Sequence, residues 1–327
     1  MILRRINGRR RNDSSNATPR LTSLFSISCI AFLIATGTLW SSTASQPQET
    51  VASASPHATQ TDPAASGILS KVVENQKRTD QAMDQFERVE RTEIRKVGST
   101  AVTPEVKVYR VFPAGTGTDK VPLTADGKPV STQSYIAELE KLEKALVWAA
   151  QRGAAQEEAY ARLEHKRKER NDLLDVTHEA FIFTRVGEEL RGDRKLIKYT
   201  LEPNPSYKPT TRNTMVFPKV RGTVWIDEAT SELARIEGVV TEDISIALFV
   251  AKVYKGSHFM QERYPVEPDI WLPSFQQYDF DGRKVFFPIS IHERTFFTNY
   301  KRVGPPGEAV STVRAELGKL KGSPADP

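Results

Sequence analysis

Residues 181–203 read FIFTRVGEELRGDRKLIKYTLEP. Ile197, Tyr199 and Leu201 alternate with Lys198 and Thr200. That period of two belongs to a strand with one buried face. Gly192-Asp193 supplies turn chemistry between this run and residues 181–190. Ahead of Phe181 apolar residues recur at three and four, and from there on at two. The chain therefore changes from helices to strands here. Helices set ahead of a run of hairpins predict an α+β fold with an antiparallel sheet.

Downstream, residues 223–227 and 233–240 predict two strands joined by DEATS at 227–231. Residues 246–254 are apolar enough for either a buried strand or a short helix. Residues 256–264 and 270–280 follow, and Asp281-Gly282 is the strongest hairpin signal in the chain. Beyond it Val285, Phe287, Ile289 and Ile291 share one face. Pro288 lacks a ladder donor, so an edge or a bulge is expected there. The total is roughly eight to eleven strands. A sheet of that size twists and curls, with apolar rows on one face and helices covering or plugging it.

Upstream, Ile68, Leu69, Val72, Val73 and Met83 predict an amphipathic helix. Residues 86–97 carry charge on both faces and fit either a continuation of that helix or an exposed edge strand. Residues 107–113 are extended, and ADGKP at 125–129 is a turn. Residues 131–176 hold the strongest helical pattern, with Ile136, Leu139, Leu142 and Leu146 on one side and a break at Gly153. Between Glu157 and Asp172 lie five basic and five acidic residues. This reads as a solvated, self-paired face rather than a cationic binding helix. No Pro/Gly/Ser-rich linker divides residues 67–303, which form one body carrying 131–176 as a helical insertion. Residues 304–327 read as a disordered tail, with at most a loose helix over 310–320.

The formal charge of +5 rests on 46 basic and 41 acidic residues. Six of those arginines, against Asp13 alone, lie in residues 1–44. The remainder is neutral, which argues against nucleic acid as a partner. Residues 24–40, LFSISCIAFLIATGTLW, are uncharged and mostly apolar, and small residues follow at 41–45. A basic segment, an apolar run and small residues are the order of a secretory signal peptide. The second reading is an uncleaved signal anchor touching the membrane through residues 24–40, although the run falls short of the roughly 20 residues of a spanning helix. Either way the body is exported to the periplasm, free or anchored at the inner membrane, because the arginines stay inside. Residues 45–66 are rich in Ser, Ala, Thr, Pro and Gln and read as a disordered linker.

The sole cysteine, Cys29, lies in the apolar run, so the body has no disulfide, zinc thiolate or cysteine nucleophile. The five histidines, His57, His165, His178, His258 and His292, have no ligand spacing on any one element. No phosphate loop, dinucleotide fingerprint or G-x-S-x-G is present. Asp279 and Asp281 read as turn chemistry. No metal, cofactor or catalytic group is expected, and an enzyme with an unrecognised hydrolytic site ranks last.

FPKVRGTVWID at 217–227, WLP at 271–273, YRVFP at 109–113 and DGKP at 126–129 resemble a group of exported bacterial proteins of unknown function. That group is similar to the LolA/LolB-like and RseB-like lipoprotein-sorting superfamily. The resemblance covers most of residues 86–303. It implies an incomplete antiparallel β-barrel, a half-barrel with helices covering its concave face, over a hydrophobic cavity. It also implies an arginine inside the cavity that holds the lid, for which Arg221 and Arg235 are the candidates. The helical region 131–176 is larger than the lid of the simple carriers, and the N-terminal tether is extra. The expected ligands are lipid or lipoprotein acyl chains. The apolar-cavity candidates are Ile197, Tyr199, Leu201, Trp225, Phe259, Val285, Phe287, Ile289 and Ile291. The alternative is an envelope protein-interaction or sensor module in which the cavity is packed shut.

Overall fold

The computed structural model describes residues 63–95, 104–246, 251–284 and 287–322. The predicted signal segment at 24–40 lies outside them, as does nearly all of the predicted linker. None of the described helices is long and apolar enough to cross a membrane.

Helix α1 (Pro63–Met83) leads into β1 (Phe86–Arg95), β2 (Glu105–Pro113), β3 (Thr118–Pro122) and a small hairpin, β4 (Thr124–Ala125) and β5 (Lys128–Pro129). Helices α2 (Thr132–Ala150), α3 (Ala154–Asp175) and α4 (Thr177–Ala180) follow. Then come β6 (Phe181–Arg191), β7 (Arg194–Pro203), a 3-10 turn (Asn213–Lys219), β8 (Val220–Asp227) and β9 (Leu233–Val240). Strands β10 (Ile244–Ile246), β11 (Ala251–Val253), β12 (His258–Glu267), β13 (Ile270–Lys284) and β14 (Phe287–Arg302) precede helix α5 (Pro306–Gly322).

Twelve of these strands form one antiparallel sheet, in the order β3-β2-β1-β14-β13-β12-β9-β8-β7-β6, with β11 added on β13 and β10 on β11. The ends β3 and β6 do not pair, so the sheet is an incomplete barrel. Helix α1 lies across one face of it, touching β6, β9 and β13. Strands β6 and β13 are five places apart, about 24 Å along the sheet. The 21 residues of α1, about 31 Å long, reach across that distance, with Leu69 and Val72 over β6–β9 and Ala82 and Met83 against Leu272 of β13. Edge strand β6 has a register break between Arg185 and Gly187, and a bulge of that kind protects an edge from pairing with another chain.

Two layers cover the sheet on opposite sides. Leu69 and Val72 of α1 pack on the inner face against Phe181, Ile197, Val224 and Ile226. On the outer face, Leu139, Leu142 and Leu146 of α2 and Val310, Val313 and Leu317 of α5 pack with Phe112 and Val121. Arg110 ties these parts together. It donates to Glu87 at 2.6 Å, to Glu316 of α5 at 2.8 Å and to the Tyr135 hydroxyl of α2 at 2.9 Å.

Several expectations change. Residues 306–322 are not a disordered tail but a helix whose apolar stripe is buried against α2. Residues 86–95 are neither helix nor edge strand, for β1 lies between β2 and β14. Its inward charges are neutralised by neighbours rather than by water. Asp281-Gly282 is not a turn, because β13 continues through it to Lys284 and pairs Gly282 with Ile289. Gly282 is needed for close approach instead, since a Cβ there would run into the Lys252 carbonyl of β11. The strands outnumber the expected eight to eleven because β3–β5, β10 and β11 are too short to show periodicity. Pro288 pairs with Arg283 of β13; residues 96–103, which follow β1, lie outside the described residues.

Candidate functional site

Between α1 and the inner face of β6–β9 lies a cavity of ≈ 90 Å³. Leu69, Val72 and Val73 of α1 form its roof, and Phe181, Phe183, Leu201, Val224, Ile226 and Ile236 form its floor. The period-two rows on β6–β9 place these side chains inward, and the three-four spacing of α1 turns its apolar stripe toward them. Leu174, Thr177 and His178 close one side, and Gln76, Gln261 and Arg263 are its polar part.

The predicted lining residues divide. Ile197, Tyr199 and Leu201 are buried in the core under α1, and Leu201 touches the cavity. Trp225 faces the opposite way, since Val224 and Ile226 on either side of it point inward. It packs with Leu196, Ala234 and Trp271, donates from Nε1 to Glu189 at 2.7 Å and lies between the Lys198 and Arg235 cations. Phe259 packs with Tyr278 and Phe280 as a separate cluster, with Ile291 against it. Phe287 is 54% exposed at the end of its hairpin. Val285, and the side chain of Ile289, lie outside the described residues. Arg221 and Arg235 alternate in phase with outward Trp225, so neither faces the lid, and Arg263 is the arginine at the cavity.

A wholly apolar inner wall is also corrected. Under β12, β13, β14 and β1 the buried residues include Arg88, Glu90, Gln261, Arg263, Gln276 and Thr295. Glu90 accepts from Arg88 at 2.6 Å and from Lys120 at 2.6 Å. Burial pushes its carboxyl up, but those two cations outweigh it and hold it below the usual carboxylate range. Burial pushes Glu293 up, and the Tyr300 phenol as well. Sequence reasoning missed this wall because polar residues at alternate strand positions read as a solvent face. Which face they take is set by strand pairing.

Helix α1 is held from above by α3. Asp80 accepts from Arg170 at 2.7 Å, Lys77 pairs with Asp175 at 2.6 Å, and Asp84 pairs with Arg167. Arg78 donates to buried Glu232 at 2.6 Å, and the Asn75 amide donates to the Thr230 and Ser231 carbonyls. Burial raises the carboxyls of Asp80 and Glu232 above their ordinary value despite their arginine partners.

A larger open groove of ≈ 410 Å³ lies on the outer face, where Arg235, Glu237, His258, Met260 and Gln277 meet. Arg235 pairs with Glu237 there, and beside the groove Asp279 lies 3.0 Å from His258 Nε2 and 2.7 Å from His292 Nδ1. Asp279 thus sits on a strand between two histidines, not in a turn. Among the described residues no group of three such side chains is placed to hold a metal ion.

No protein-family model matches the chain, and no curated protein does. Solved structures similar to it include a LolA superfamily protein from Nitrosomonas europaea, at 8% identity and TM-score 0.31, covering 73% of this chain and 94% of that one. A domain described as an outer membrane lipoprotein-sorting protein, from Vibrio parahaemolyticus, matches at 10% identity and TM-score 0.30 over 75% and 99% of the two chains. A DUF1329 family protein from Desulfovibrio piger matches at 11% identity and TM-score 0.28 over 74% and 94%.

Proposed function

We propose that this is an exported cell-envelope protein that binds acyl chains of lipids or lipoproteins between α1 and the inner face of β6–β9. The apolar cavity under an amphipathic helix carries this reading. At ≈ 90 Å³ it takes only a few methylenes, since even a water occupies about 30 Å³ of liquid. The state described is therefore the closed one. Binding lifts α1 from the sheet, and acyl methylenes replace Leu69 and Val72 against Phe181, Val224 and Ile226. Each methylene buried contributes about 0.8 kcal/mol, so a long chain offsets the loss of the α1 contacts. The ion pairs between α1 and α3 return the lid when the chain leaves.

The test is native mass spectrometry of the protein taken from an envelope fraction, followed by titration of the stripped protein with a fluorescent fatty acid. Co-purifying lipid and micromolar binding are expected. Val72→Phe, which fills the cavity, is expected to weaken binding about tenfold without lowering Tm. An empty protein that ignores the fatty acid overturns the reading.

A further inference from the structure

The polar part of the cavity is built from both of its walls. Gln76 comes from α1, the lid, and is 5% exposed. Gln261 and Arg263 come from β12 and are 1% and 6% exposed. Arg263 donates to the Gln261 side-chain oxygen from Nε at 3.0 Å and from Nη2 at 2.9 Å. That fixes the amide of Gln261 with its oxygen toward the guanidinium, and leaves its Nε2 as a donor. The Nε2 groups of Gln76 and Gln261 are both buried without a hydrogen-bond partner. A buried amide donor left unpaired costs about 1–3 kcal/mol, and a ligand acceptor placed between these two would recover that cost. Among the described residues no carboxylate lines the cavity, and the buried carboxylate within electrostatic reach of Arg263, Glu232, is paired with Arg78 at 2.6 Å.

We propose that Gln76, Gln261 and Arg263 form the head-group seat for a long-chain monocarboxylate, whose hydrocarbon tail lies along the β6–β9 floor. The inference rests on the acyl-chain reading above and specifies its ligand class. Two amide N–H donors match the two oxygens of one carboxylate, and the guanidinium behind Gln261 supplies the positive field that makes a charged head preferable to a neutral one. Desolvating an anion requires this fixed set of donors. Because Gln76 rides on the lid and the other two on the wall, a seated carboxylate bonds both and pins α1 at Gln76, while the turns that carry Leu69 and Val72 lift over the tail. The head group thus becomes part of the hinge.

The experiment compares hexadecanoate with methyl hexadecanoate on the stripped full-length protein by calorimetric titration at pH 7.5. The two share a tail and a carbonyl and differ in charge. The acid is expected to bind at least tenfold more tightly. Gln76→Leu and Gln261→Glu each remove one unpaired amide donor, the second keeping a side-chain oxygen for Arg263, so both are expected to fold and to lose less affinity for the ester than for the acid. Each is expected to lose fivefold or more in affinity for the acid. Equal affinities for acid and ester, or an acid affinity that neither variant changes, overturn the seat and leave the acyl-chain reading standing. Binding of neither ligand overturns both.

Discussion

Glu90 illustrates how single residues hold the inner wall. It is 3% exposed, on a strand that reads as FERVERTEIR, and it accepts from Arg88 and Lys120. Glu90→Gln leaves two cations without their counter-charge, and breaking a buried pair from one side costs about 3–5 kcal/mol. The folded-state pKa of Glu90 is lowered, so its contribution is present above the unfolded value of about 4.3 and is lost as pH falls through the lower folded one. Denaturant melts at pH 7 are expected to separate Glu90→Gln from wild type by that amount. The gap is expected to shrink once the pH drops below about 4, and coincident curves at pH 7 would remove this role. The charges of β1 were legible in the sequence, but their burial was not. An alternating charged strand looks the same whether its partners are water or Arg88 and Lys120. For the same reason Gly282 passed as a turn residue, since only the approach of β11 shows what its missing side chain makes room for.

Helices α2 and α5 show the same division for whole elements. The spacing of Leu139, Leu142 and Leu146 predicts α2, and the structure buries all three. Helix α5 opens inside GPPG at 304–307 and carries few large apolar residues, so its sequence reads as tail. Its Ala309, Val310, Val313 and Leu317 are buried nonetheless, because they pack on the apolar residues of α2 and β2. Propensity does not decide such a helix; the partner surface does. Val313 is 0% exposed, and Val313→Asp places an unpaired carboxylate there. Thermal unfolding is expected to drop by roughly 10 °C, from a loss of about 3 kcal/mol. An unchanged Tm would show that α5 is not part of the folded body.

For the molecule as a whole, the helical insertion and the sheet together grip α1. The sheet takes its apolar stripe, and α3 takes Lys77, Asp80 and Asp84 from the other side. Asp80 reports on that grip. Its folded pKa is raised, burial being the leading cause and Arg170 the opposing one. A raised carboxyl contributes most to stability at low pH, and that contribution is lost as pH rises through its folded value. Asp80→Asn is therefore expected to melt no lower than wild type at pH 7.5, and the two are expected to converge as the pH falls below the folded pKa. A variant several degrees less stable at pH 7.5 would mean that the Arg170 pair outweighs burial.

Periodicity alone carried the change from helices to hairpins at Phe181, the antiparallel pairing and the apolar rows at 197–201, because strand and helix periods are local properties of the chain. Curvature, and with it the site, was decided only in three dimensions. Residues as distant in sequence as Gln76 and Gln261 line one cavity because α1 lies across the inner face of the sheet that contains β12. The pairing of the strands sends Trp225 outward and Arg263 inward. Local patterns state which residues alternate, but which of the two faces becomes the inside depends on register and curl summed over the entire sheet.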